Sequence, residues 1–241
     1  IMPMRRRWWT AVAVGCAALV LAASVRAGDE ELQEVTRLVQ QISELREQGR
    51  TEEAIEPAKR AAELVEKALG PQSHELASAL TQLGLLCQDA GRPEEALGPL
   101  TRVVSILDKA VGPQDPETAT ALGNLGSVQR ELGAYADAEA SLKRCLAIRE
   151  KVLGPDDLDT AEALNNLGLL YHTICRHAEA EPLYDRSLAI RRKSLPPEDA
   201  LIAISLNNLA GLYPETGRYE ETQPLFLRDN AIIATAAVPK P

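Results

Sequence analysis

GPQDPETATALGNLGSVQRELGAYADAEASLKRCLAIREKVLGP, residues 112–155, opens on Gly112-Pro113 and closes on Gly154-Pro155, the same dipeptide 42 residues later. Outward from this stretch the interval continues, with Gly70-Pro71 lying 42 residues before it and Pro196-Pro197 the same distance after. Ala54, Ala96, Ala138 and Ala180 make a second column at this interval, broken at Thr222. Gly49, Gly91, Gly133 and Gly217 make a third, with Cys175 in the fourth place. Leu38, Leu80, Leu122, Leu164 and Leu206 run unbroken through five copies. Self-similarity at a fixed period of this length marks a repeat array. The copies span 29–70, 71–112, 113–154, 155–196 and 197–238, followed by a tail over 239–241.

Each copy contains two amphipathic helical patterns. In the third, Ala121, Leu122, Leu125, Gly126 and Val128 recur at helical spacing. The chain turns at Gly133, and Ala138, Leu142, Cys145, Leu146 and Ile148 mark a second helix. The boundaries repeat for physical reasons. Ser73, Asp115, Asp157 and Asp199 stand where a side-chain oxygen caps the first helix, each cap worth about 1 kcal/mol. Pro116 follows one of them, where a missing N–H costs nothing. Glu53, Glu95, Asp137, Glu179 and Glu221 fall in the first turn of the second helix, and Lys67, Lys109, Lys151 and Lys193 in its last turn, matching the helix dipole. Gly70, Gly112 and Gly154 supply the left-handed residue that closes the helix, and the proline after each prevents continuation.

The fourth copy, Ala163-Leu164-Asn165-Asn166-Leu167-Gly168-Leu169-Leu170-Tyr171 with Ala178-Glu179-Ala180-Glu181 and Ser187-Leu188-Ala189-Ile190-Arg191, resembles the tetratricopeptide repeat of the kinesin-light-chain type. Leu167, Gly168, Tyr171 and Ala180 occupy that family's signature positions. The resemblance covers residues 29–238 and implies an all-α fold, a right-handed α-solenoid of about five helix-turn-helix repeats whose first helices line a concave groove. One hairpin alone leaves an apolar face wet, so stability must come from stacking on neighbours. The ends depart from the pattern: Gln41 and Ile42 replace the Leu-Gly pair in the first copy, as expected of a terminal helix with no preceding unit to cover. In the last copy Asn230 and Thr235 stand in columns otherwise held by aliphatic residues and lysines, so its second helix is expected to fray.

Ahead of the array, Met4-Arg5-Arg6-Arg7 leads into an uncharged apolar stretch from Trp8 to Val25 and then Arg26-Ala27-Gly28. That order is the pattern of a secretory signal peptide, so residues 1–27 are expected to be a leader cut after Ala27, giving a secreted or periplasmic protein. Residues 8–25 are also just long enough to serve as an uncleaved membrane anchor. A lipoprotein signal at Cys16 fits less well, because the apolar stretch continues past the cysteine. Without Arg5, Arg6, Arg7 and Arg26 the net charge falls from −9 to −13. An acidic chain lacks the basic face that neutralising phosphates requires, so nucleic acid is excluded as a partner.

The residues present no catalytic constellation. His74, His172 and His177 form no HExxH pair, no nucleophile motif is present, and the glycines are repeat punctuation rather than a phosphate loop. The chain therefore reads as a non-enzyme without cofactor. His172-Thr173-Ile174-Cys175-Arg176-His177 reads as the turn of the fourth copy rather than a metal site, since ligands so close in sequence need another from elsewhere. Cys87 and Cys145 read as small core residues, and Asp156-Asp157-Leu158-Asp159 as a capping turn rather than a calcium loop.

The candidate binding residues are Asn124, Asn166 and Asn208 of the first helices, with Gln82 in their column. An amide pointing into the groove matches both a donor and an acceptor of an extended peptide, although an Asn there can equally bond neighbouring helix backbone. Asn165, Asn207, Arg130 and His172 are further candidates for the groove. Groove lysines that would clamp a C-terminal carboxylate are missing, so a neutral or basic protein segment is the expected partner. The leading reading is a protein-binding scaffold. Two others stand beside it: a regulatory module of a larger enzyme, and a homo-oligomer formed by stacking the end faces of the array.

Overall fold

The computed structural model describes residues 29–218 and 220. The expected leader or anchor, and the second helix of the fifth copy with Asn230 and Thr235, lie outside the described residues. Nine α-helices are described: α1 Asp29–Glu47, α2 Ile55–Leu69, α3 His74–Asp89, α4 Pro93–Ala110, α5 Pro116–Glu131, α6 Tyr135–Val152, α7 Leu158–Thr173, α8 His177–Ser194 and α9 Ala200–Glu215. A single 3-10 turn, Glu52–Ala54, leads into α2, and no strand occurs among the described residues. No helix among them is long and apolar enough to cross a membrane.

The helices begin where their caps stand. Ser73 Oγ accepts from the Leu76 N–H at 3.3 Å, and the carboxylates of Asp115, Asp157 and Asp199 accept from the N–H two residues on at 2.8, 2.8 and 2.9 Å. In two copies a threonine adds a bond of its own, Thr118 and Thr160 donating to the Gly112 and Gly154 carbonyls at 2.9 and 2.8 Å. Asp157 caps α7 and Asp156 pairs with Lys193, so the acidic stretch is accounted for by local structure. Between the helices of a hairpin, Gly49, Gly91, Gly133 and Gly217 take φ of 72–79°, and Cys175 takes 58° in the same column.

The chain forms two compact bodies that part between Ala134 and Tyr135, the turn inside the third copy; α1–α5 belong to the first and α6–α9 to the second. In the first, each helix packs on the next and α3 also meets α5; in the second, each again packs on the next and α7 also meets α9. The crossing inside a hairpin is set by size complementarity. Gly84 of α3 faces Leu100 of α4, and a Cβ on Gly84 would lie 2.6 Å from Leu100 Cγ. Gly168 of α7 faces Tyr184 of α8 in the same way. The first copy inverts the pair: Ile42 stands in the glycine column and shares a core with Ala58, the small residue of the facing column. Ile42 is fully buried against Leu83, Leu86 and Cys87 of the second copy, so its size is accommodated by this inversion.

Candidate functional site

Residues one repeat and one position apart meet where first helices lie side by side. In the first body His74 Nε2 lies 2.5 Å from Glu117 Oε2, and Gln88 Nε2 donates to Glu131 Oε1 at 2.7 Å. In the second, Asn208 Nδ2 donates to Asn165 Oδ1 at 2.7 Å, and His172 Nε2 lies 3.1 Å from Glu215 Oε2. Each pair is separated by 43 residues, so within each body the neighbouring first helices are joined by polar rungs of the same step.

Placed among these rungs, the sequence candidates separate into groups. Gln82 and Asn124 of the first body are buried, at 4% and 9% exposure. Arg130 is half-buried, 3.8 Å from Glu131. In the second body Asn165 is buried and committed to Asn208, whereas Asn166 is half-buried and its side-chain amide makes no hydrogen bond among the described residues. Asn207 is exposed. The structure thus brings Asn165 and Asn208 together as a bridge and leaves Asn166 and Asn207 with open amides.

Other charged groups escaped the sequence reading. Arg60, Arg102, Arg144, Arg186 and Arg228 form an unbroken 42-residue column. Arg102 joins α4 to the preceding second helix through Glu66 at 2.7 Å and reaches the Pro71 carbonyl at 3.5 Å. Arg186 repeats this with Glu150 at 2.5 Å and the Pro155 carbonyl at 3.2 Å. The Arg102 guanidinium holds the Glu66 carboxyl below its ordinary range. The spacing alone was a legible signal for this column.

Arg149 and Arg191, also 42 residues apart, are buried where Val65 and Leu107 stand in earlier copies. Arg149 donates to the Asp159 carbonyl at 2.8 Å and to Glu162 at 3.1 Å; Arg191 donates to the Leu201 carbonyl at 3.0 Å and to Ser205 at 2.7 Å. Burial pushes the Glu162 carboxyl up to about 7 against the opposing pull of Arg149, and pulls Arg191 down to about 10. These groups knit second helices to the first helices that follow them.

His172, His177 and Glu215 converge at one end of α7 and α9. Oε2 of Glu215 lies 3.1 Å from His172 Nε2 and 3.2 Å from His177 Nδ1. The turn between the histidines is the expected one, with Cys175 N–H donating to the His172 carbonyl at 3.0 Å and Arg176 N–H to the Tyr171 carbonyl at 2.8 Å. Glu215 comes from the following copy, and the Gln88–Glu131 pair two copies earlier holds the signal that points to it.

Several solved structures share the fold. A kinesin light chain protein of Podosopora anserina with nearly identical TPR-like repeats superposes with a TM-score of 0.73 at 21% identity, over 87% of this chain and 99% of that one. BtubC from P. vanneervenii gives 0.71 at 20% identity, over 98% and 94%. Rap, complexed with Competence and Sporulation Factor, gives 0.70 at 15% identity, over 89% of this chain and 57% of that one. No curated protein matches the sequence. The tetratricopeptide repeat family model matches residues 44–109, 100–151, 117–193 and 174–228. With the capped hairpins, the glycine crossings and these overlapping matches in agreement, the chain belongs to the tetratricopeptide repeat family.

Proposed function

We propose that this protein is a non-enzymatic scaffold that binds an extended protein segment along the face of its first helices, as the concave groove of a tetratricopeptide array allows. The observation that carries the reading is Asn166: half-buried on α7, its amide is uncommitted although the neighbouring Asn165 and Asn208 amides bond each other. An open carboxamide beside a saturated one offers a donor and an acceptor to a peptide backbone. Exposed Asn207 on α9 extends the same offer. The complex of Rap with Competence and Sporulation Factor is a precedent for ligand binding by this fold. The acidic balance of the chain favours neutral or basic segments.

The test is selection from a displayed library of random peptides on the purified chain, followed by titration of a selected peptide. Asn166→Ala combined with Asn207→Ala is expected to weaken binding about tenfold or more with helicity unchanged, since each lost hydrogen bond is worth about 1 kcal/mol. Unchanged affinity in the double variant removes the reading.

We also propose export through the 1–27 leader. N-terminal sequencing of the protein recovered outside the cytoplasm is expected to begin at Gly28. Recovery of the uncut chain in the membrane fraction points instead to the anchor.

A further inference from the structure

We propose that His172, His177 and Glu215 form a three-ligand site for a divalent transition-metal ion, zinc-like in its preferences, that ties the turn of the fourth repeat to the first helix of the fifth. Two imidazoles and a carboxylate are a donor set such ions take, with water in the fourth position. One carboxylate oxygen lies 3.1 Å from His172 Nε2 and 3.2 Å from His177 Nδ1. Donors bound tetrahedrally at about 2.0–2.1 Å sit about 3.3 Å apart, so two of the three edges are already near that length. All three donor atoms lie within 4.8 Å of one another, and closing the remaining edge takes a rotamer adjustment of at most about 1.5 Å.

Two further observations point to a ligand rather than a repeating ion pair. His177 Nδ1 is buried and makes no hydrogen bond, although the Glu215 oxygen is near, so the protein alone leaves a polar atom unsatisfied where burial makes that costly. The repeat also supplies an internal comparison. In the second copy the equivalent positions are Gln88, Pro93 and Glu131, and Gln88 bonds Glu131 directly at 2.7 Å. That earlier site is a closed pair with a proline beside it and no imidazole donor. In the fourth copy histidines stand at both the glutamine and the proline positions and the carboxylate is again a glutamate, whereas the third copy has Arg130, Tyr135 and Thr173 there. The substitutions turn a ladder rung into a chelating set and touch neither the cap nor the glycine-column turn.

Those earlier residues also provide variants compatible with the fold, because His172→Gln and His177→Pro install what the second copy already holds. The experiment titrates the untagged chain with Co2+, read by visible absorption, and with Zn2+, read by calorimetry. The wild type is expected to take up one equivalent of Co2+ with the intense absorption of a tetrahedral complex, and Zn2+ to displace it. His172→Gln, His177→Pro and Glu215→Gln are each expected to weaken binding by no less than the roughly 10–100-fold that loss of a mere second-shell partner costs, with unchanged circular dichroism. Absence of a saturable one-to-one complex in the wild type overturns the proposal. So does equal affinity in the wild type and His177→Pro, which would place any bound ion elsewhere.

Discussion

Gly168 lies against the ring of Tyr184 with no room for a side chain: a Cβ there would sit 2.7 Å from Cε1 and 2.8 Å from Cδ1. Because both residues are buried where α7 crosses α8, neither can yield toward solvent. Gly168→Ala is expected to destabilise the chain by about 1–2 kcal/mol, overpacking of about 1–3 kcal/mol being partly offset by helix propensity. In a Tyr184→Ala background the same substitution should be neutral or stabilising. Thermal denaturation of the four proteins of this cycle measures the coupling; additive effects refute direct contact as the cause.

Cys175 occupies the left-handed position that glycine holds in the other copies, at φ 58°. A side chain there costs about 1–2 kcal/mol. Cys175→Gly should therefore raise the melting temperature, with a gain of about 1 kcal/mol, and a lowered melting temperature would show that the thiol contributes packing or bonding of its own.

The Asn165–Asn208 bridge separates structural from binding asparagines. Asn208→Ala leaves the buried Asn165 oxygen without its donor and is expected to cost about 1–3 kcal/mol. Asn166→Ala, at an uncommitted amide, should change stability by less than about 0.5 kcal/mol. Chemical denaturation of the two variants distinguishes these roles, and equal losses would put Asn166 in the structural class too.

Glu162 gives the chain a stability window in pH. Its folded-state value of about 7 lies above the ordinary 4.5, so the native state binds this proton more tightly than the unfolded chain does. Its contribution is full below about 4.5 and is lost as the pH rises through about 7, by at most about 3 kcal/mol. Carboxyls held low by arginines, Glu66 beside Arg102 among them, act oppositely and lose stability as the pH falls below the ordinary 4.5. Glu162→Gln should flatten the change between pH 4.5 and 7 while leaving the acid limb. An unchanged profile in that variant would assign the window to other groups.

Arg102 joins two second helices through Glu66 and also meets the Pro71 carbonyl, but it is more than one-third exposed. Arg102→Met keeps the aliphatic stem and removes the charge. The expected loss is about 0.5–1 kcal/mol, shrinking in high salt as solvent screening predicts. A salt-independent loss would point to packing instead.

The hairpins were legible because their signals are local. Caps at Ser73, Asp115, Asp157 and Asp199, positive-φ glycines and amphipathic spacing each act within a few residues, and the structure places every one of these caps and turns as the columns indicate. The candidate site was legible only in its residue types. Asn165, Asn166, Asn207 and Asn208 look alike in sequence, and only the 43-residue step between neighbouring helices assigns the bridge to Asn165 and Asn208 and frees the other two. The buried arginines fell outside the reading because a cation near a helix end ordinarily signals a dipole partner. Their burial depends on the first helix that follows, which supplies Glu162, Ser205 and backbone carbonyls.

By itself, then, the sequence determined a 42-residue helical hairpin, its repetition and its acidic character, since period, capping chemistry and charge are properties of the chain read in order. Tertiary structure decided which polar residues are spent on holding helices together and which remain open. Asn166 and the His172–His177–Glu215 cluster acquire their meaning only when a neighbouring repeat is laid alongside, because hydrogen bonding and chelation depend on distances between residues that a linear period does not specify.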